Sequence, residues 1–148
     1  MRLSPRQCIQ LNQCVFSMAN AYRSRMVDTG ELERTGLRLP DRSTLMVLGQ
    51  FQPTTASDLA QRMDINAGTI SVYVQGLVER GLVERAQDEG DRRTWWLTLT
   101  ESGEAAYRET VNGAVGYTRE FLDPLTGAER QLLHGLMLRI AHGLGYSW

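Results

Sequence analysis

Arg92 and Arg93 stand side by side at the end of a polar run that starts at Glu84, in the company of Asp88, Glu89 and Asp91. A guanidinium is a planar fork of donors that suits a phosphate or a base edge, and an acid two positions away, Asp91, is placed to hold one fork in position. Upstream, Gly68, Val72, Gln75 and Glu79 fall on the outward side of a helical repeat whose inward members are Ile70, Val74 and Leu77, with Thr69, Ser71 and Gly76 on its flanks and Asn66 at its cap. Gln75 suits an adenine edge, Val72 a thymine methyl, and Thr69 and Ser71 phosphate oxygens. These are binding chemistries. The chain has no Ser, His and Asp set, glycine-rich phosphate loop or close carboxylate pair in a context that supports catalysis, so it reads as no enzyme.

Other reactive groups are weaker candidates. His134 and His142 are about 80° apart around a helix, off-register for a shared ion, and two thiols alone make no zinc site; neither metal nor cofactor is expected. Cys8 and Cys14 point about 120° apart on one helix and are expected reduced. Cys14 is expected to be a buried structural thiol.

The 148 residues are 42% apolar and 22% charged, enough for one domain with its own core. All 16 basic residues are arginine, a usage that coding bias explains, and with 17 acids the formal net charge is −1. Any grip on nucleic acid must therefore be local rather than by bulk charge. No apolar run approaches the ~18–20 residues of a membrane span, and MRLSPRQCIQLNQC lacks a signal-peptide core, so a cytoplasmic location and no membrane partner are expected.

The elements that position these groups follow from periodicity. Cys8, Leu11, Val15, Met18, Tyr22 and Met26 mark a helix from Arg6 to about Val27, widened by Ile9, Phe16 and Ala19. Asp28 to Pro40 loosens through two glycines, and a second helix runs to Phe51 with Leu45, Val47, Leu48 and Phe51 inward. Thr55, with Asp58 in capping-box spacing, starts a short helix ending near Met63, and Asn66 caps the next, which ends at Gly81. Strands Leu82–Ala86 and Thr94–Thr100 follow, with Trp95, Leu97 and Leu99 on one buried face. The stretch between them, Gln87 to Arg93, exceeds the ~2–5 residues of an ordinary hairpin turn. Thr100 then caps a long helix with Ala106, Val111, Val115 and Phe121 inward. Thr126 and Glu129 box the last, which carries Leu132, Leu133, Leu136, Met137 and Ile140. The terminal helices are more apolar than one neighbour would cover, which dimerisation resolves; the alternative is that they pack on each other within one chain.

Helix, turn, helix and long hairpin is the order of a winged helix-turn-helix, with the second helix in a major groove and the hairpin tip at the adjacent minor groove. The fold class is mainly α with a small β-hairpin: a winged core over 40–100 in a single domain 1–148, with dimerisation helices in 1–39 and 101–148. The stretch LAQRMDINAGTISVYVQGLVERGLVERAQDEGDRRTWWLTLTESG resembles the core of MarR-type transcriptional regulators through GLVER, DRR and LTLTESG, and GLRLPDRSTLMVL and LTGAERQLLHGL extend the likeness. The resemblance implies a homodimeric regulator of double-stranded DNA, expected to be a repressor on a pseudo-palindromic operator, in which Asp91 and Arg93 cooperate at the wing tip. It also implies release by a redox signal, for which Cys14 is the candidate thiol with Tyr22 and Arg23 within two or three turns, or by a small aromatic or phenolic effector, which Met18, Tyr22, Met46 and Phe51 could line. Similar proteins often carry an arginine near position 72, and valine there implies a larger share for wing and shape contacts. The competing reading is a winged-helix protein-interaction module that has lost DNA binding.

Overall fold

The computed structural model describes residues 2–28 and 35–146, with the side chains of 26–28 outside the description. The expected loosening after Asp28, and Met26 as an apolar position, fall largely outside these residues. Contacts divide the chain into two compact units, Met1–Leu39 and Pro40–Trp148.

The first unit is built on α1, Pro5–Asp28. It begins one residue before the expected Arg6, because Ser4 and Gln7 form a reciprocal cap. The Gln7 N–H donates to Ser4 Oγ at 3.3 Å and the Ser4 N–H donates to Gln7 Oε1 at 2.9 Å. Pro5, with no N–H to satisfy, sits in the first turn. The side chains from Arg2 to Ala19 are all exposed, Phe16 by 68%.

In the second unit α2 (Leu39–Phe51), α3 (Ala56–Met63) and α4 (Ala67–Glu79) lead into a hairpin of β1 (Val83–Gln87) and β2 (Trp95–Leu99). Leu45, Leu48, Leu59, Ile70, Val74, Leu77, Val83 and Leu97 form the core, each essentially without exposure. β1 is shifted by one residue from the expected Leu82–Ala86, and β2 is one residue shorter than expected at each end. The register pairs Val83 with Leu99, Arg85 with Leu97 and Gln87 with Trp95, so these six share one face. That face is not buried throughout: Leu97 and Leu99 are 1% and 8% exposed, but Trp95 is 48% exposed where the hairpin outruns the helices.

Each turn has a local cause. Asn66 Oδ1 accepts the Thr69 N–H at 2.9 Å at the start of α4. At its end Gly81 takes φ 69°, which lets the Leu82 N–H reach back to Leu77 O at 3.0 Å. Thr55 caps α3, but the box with Asp58 is incomplete: the Asp58 carboxylate accepts the Thr55 hydroxyl, not its N–H. Glu129, one methylene longer, does reach the Thr126 N–H, at 2.8 Å.

The unit closes with α5 (Glu101–Phe121) and α6 (Gly127–Gly143). On α5 the buried stripe is Gly103, Thr110 and Ala114 rather than Ala106, Val111, Val115 and Phe121; the first two and Phe121 are half-buried and Val115 is exposed. At Gly103 only a glycine fits, because α5 crosses Leu82 so closely that a Cβ there would collide with its carbonyl; the buried Thr110 hydroxyl is satisfied by Ala106 O at 2.8 Å. No residue of α6 is buried; Leu132, Leu136, Met137 and Ile140 are exposed and Leu133 half-buried.

Candidate nucleic-acid interface

The hairpin tip is wired through its own polar groups. The Asp88 carboxylate accepts the N–H of Gly90 at 2.9 Å, that of Asp91 at 2.8 Å and the Trp96 indole N–H at 2.7 Å. The indole bond, then the two backbone bonds, hold the Asp88 carboxyl below the usual aspartate range. Gln87 Nε2 donates to Arg92 O at 2.6 Å, and the Asp88 N–H to Thr94 O at 3.0 Å.

Asp91 acts differently from the expected clamp on an arginine fork. Its Oδ1 accepts the backbone N–H of Arg93 at 3.0 Å and its Oδ2 the Thr94 hydroxyl at 3.0 Å. A carboxylate two residues before its target reaches the main chain more easily than the end of a long side chain, so Asp91 shapes the turn. Neither guanidinium of Arg92 and Arg93 makes a hydrogen bond or ion pair within the described residues, and both side chains are exposed. The tip is therefore a fixed loop carrying two uncommitted cations.

On α4, Val72 is 66% exposed and Gln75 lies beside it. Gln75 Nε2 donates to Glu79 Oε1 at 2.8 Å. Thr69 Oγ1 donates to Asn66 Oδ1 at 3.0 Å and Ser71 Oγ to Ala67 O at 2.8 Å, so both hydroxyl protons are turned into the helix. Gly68 is exposed next to the cap. The outward surface of α4 is thus small and mostly neutral.

Sequence reasoning missed how the hairpin is anchored to the helices. Thr54, 3% exposed, pairs with Leu97 through Thr54 N to Leu97 O at 3.2 Å and Leu97 N to Thr54 O at 2.8 Å. Gln52 Oε1 accepts the Leu99 N–H at 2.7 Å and its Nε2 donates to Glu104 at 2.6 Å. Nothing in QPTT has strand periodicity, so no local signal marks this contact.

The effector candidates are split between the units. Met18 and Tyr22 lie on α1, the first exposed and the second half-buried. Met46 and Phe51 lie on α2, both half-buried. Phe51 has the Arg62 guanidinium 3.7 Å above its ring and lines a hollow of about 190 Å³ with Asp58, Gln61 and Tyr146; Met46 is not part of it. Cys14 is not buried as expected: it and Cys8 are exposed, free thiols, since neither side of α1 along this stretch is covered. Among the described residues no cluster of His, Cys, Asp or Glu could hold a metal, and no helix is long and apolar enough to cross a membrane.

Three helices leading into an anchored hairpin whose tip presents two arginines define a winged helix-turn-helix. The MarR family model matches residues 35–94, from the approach to α2 through the wing. An uncharacterized HTH-type transcriptional regulator of Bacillus cereus (strain ZK / E33L) is 28% identical over 119 residues, 80% of this chain and 79% of its own length. The HTH-type transcriptional repressor MdtR of Bacillus subtilis is 25% identical over 111 residues, 75% of this chain and 67% of MdtR. The structure of Streptococcus pneumoniae FabT in complex with DNA shares the fold, with a TM-score of 0.72 at 19% identity over 90% of this chain and 97% of FabT. Over residues 35–94 the chain resembles the MarR family, whose members are transcriptional regulators rather than enzymes.

Proposed function

We propose that this regulator binds an operator in duplex DNA as a homodimer, represses by occupying it, and is released by a small aromatic or phenolic molecule or by oxidation at Cys14. The observation that carries the DNA reading is the wing: a loop held by Asp88 and Asp91 that leaves the Arg92 and Arg93 guanidinium groups uncommitted. A preorganised loop delivers its two forks to a narrow groove without the entropy cost of ordering its backbone. That a FabT structure holds DNA and MdtR is named a repressor supports extending both properties to this chain. The exposed apolar residues of α1 and α6 support the dimer, which would present two α4 helices to half-sites about one helical turn apart. The protein-interaction alternative has no comparable support.

The test is to select bound fragments from the source genome and titrate the best of them, with and without peroxide or aromatic acids. Log K should fall with log salt by roughly 0.9 for each phosphate contacted. Because α4 is thin in base-reading groups, Arg93→Ala should weaken binding by about 10-fold or more and Gln75→Ala by less. Equal or reversed losses would remove the wing-dominated reading, and failure to bind any duplex at low ionic strength would remove DNA binding itself.

A further inference from the structure

Between α4 and the hairpin runs a cleft of about 280 Å³, walled by Ser71 and Gln75 on one side and by Arg85 and Trp95 on the other, with Val74 and Leu97 in its floor. Arg85 and Trp95 reach it together because the hairpin register puts both on the inward face. Two features of the cleft have no structural use. The Trp95 ring keeps 48% of its surface exposed, and its indole N–H makes no hydrogen bond among the described residues, unlike that of Trp96. The Arg85 guanidinium is exposed and makes neither hydrogen bond nor ion pair there.

Duplex geometry gives the cleft an occupant. Adjacent major and minor grooves are separated by one sugar-phosphate strand, so a protein with α4 in the first and its wing in the second has that strand crossing between them. We propose that Arg85 and Trp95 seat this strand, the guanidinium and the indole N–H donating to phosphate oxygens while the indole face packs on deoxyribose. The proposal rests on the DNA reading above and adds two residues, neither at the tip nor on α4, to the interface. The contact is with backbone, so it adds affinity for any sequence.

Arg85→Ala, Trp95→Ala and Trp95→Phe in the full chain test it, titrated against the selected fragment and an unrelated duplex over a salt series. Arg85→Ala should lower affinity for both by roughly tenfold and flatten the salt slope by about one phosphate per bound subunit. Trp95→Ala should weaken both duplexes with a smaller change in slope, and Trp95→Phe, which keeps a ring, should recover most of that loss. Tryptophan emission should shift or quench when wild type meets DNA, and that component should vanish in Trp95→Phe. Both side chains are solvent-facing, and unchanged thermal melting would confirm intact folds. If the Arg85 and Trp95 variants bind like wild type while Arg93→Ala does not, the seat is wrong and DNA binding stands. If wild type binds no duplex, both fall.

Discussion

Glu79 shows how one carboxylate tunes a neutral recognition surface. It accepts the Gln75 amide at 2.8 Å and thereby fixes the side chain best suited to a base edge, yet it sets a negative charge on the side proposed to face DNA. Glu79→Gln keeps an acceptor and removes the charge. Binding should tighten about two-fold at low salt, the scale of one repulsion across ~8 Å of water-like dielectric, and converge on wild type at high salt. Fluorescence anisotropy measures both. Asp88 makes the opposite use of a carboxylate, turning it inward to the tip. Its carboxyl is held below the ordinary value of 3.8, chiefly by the Trp96 indole. A depressed carboxyl contributes stability fully above the unfolded value and loses it only as pH falls through the lower folded value. The Trp96 indole N–H resonance should therefore hold its bonded shift from neutrality down to about pH 4, and Asp88→Ala should move it at every pH.

At the scale of elements, the wing is only as well placed as its anchors. The hairpin is tied at Thr54 and Gln52 on one side and by the close crossing of α5 at Gly103 on the other. Gly103→Ala puts a methyl against a backbone carbonyl that cannot turn aside, and should cost about 3 kcal/mol, the upper range for overpacking, seen as a lower urea midpoint with an unchanged slope. The two threonine caps differ in kind. At α6 the box is complete, so Thr126→Ala should cost about 1 kcal/mol in the same measurement. At α3 the shorter Asp58 leaves the cap N–H to other partners, and Glu in its place would complete the box.

At the scale of the molecule, the exposed apolar surface is concentrated on α1 and α6, with Ile9, Val15 and Phe16 on the one and Leu132, Met137 and Ile140 on the other. Patches of this kind on a chain of this size mark a protein interface. Phe16→Glu combined with Met137→Glu should shift the sedimentation profile from dimer to monomer and halve the salt slope of DNA binding, since half the phosphate contacts leave with the partner. An unchanged profile would leave these helices without the role proposed for them. Exposure of Cys14 on α1 would then be read without reference to a second subunit.

Helices, their caps, the turn before α4 and the presence of a long hairpin were legible in the sequence because each depends on residues within a turn of one another. Asn66 to Thr69, Thr126 to Glu129 and Gly81 at the end of α4 are all such pairs or single positions. The tip arginines were legible too, within a polar run too long for a turn, but not their freedom: Asp91 reads as a clamp on a fork and instead accepts the Arg93 backbone N–H. Tertiary structure alone decided which faces found partners. It buried Gly103, Thr110 and Ala114 instead of larger neighbours, buried Asp41 within 4.0 Å of Arg80, joined Thr54 to Leu97, and left Trp95 open beside α4. These outcomes depend on how closely distant segments approach, and a periodic pattern records which side of an element is apolar but not the distance to whatever packs against it.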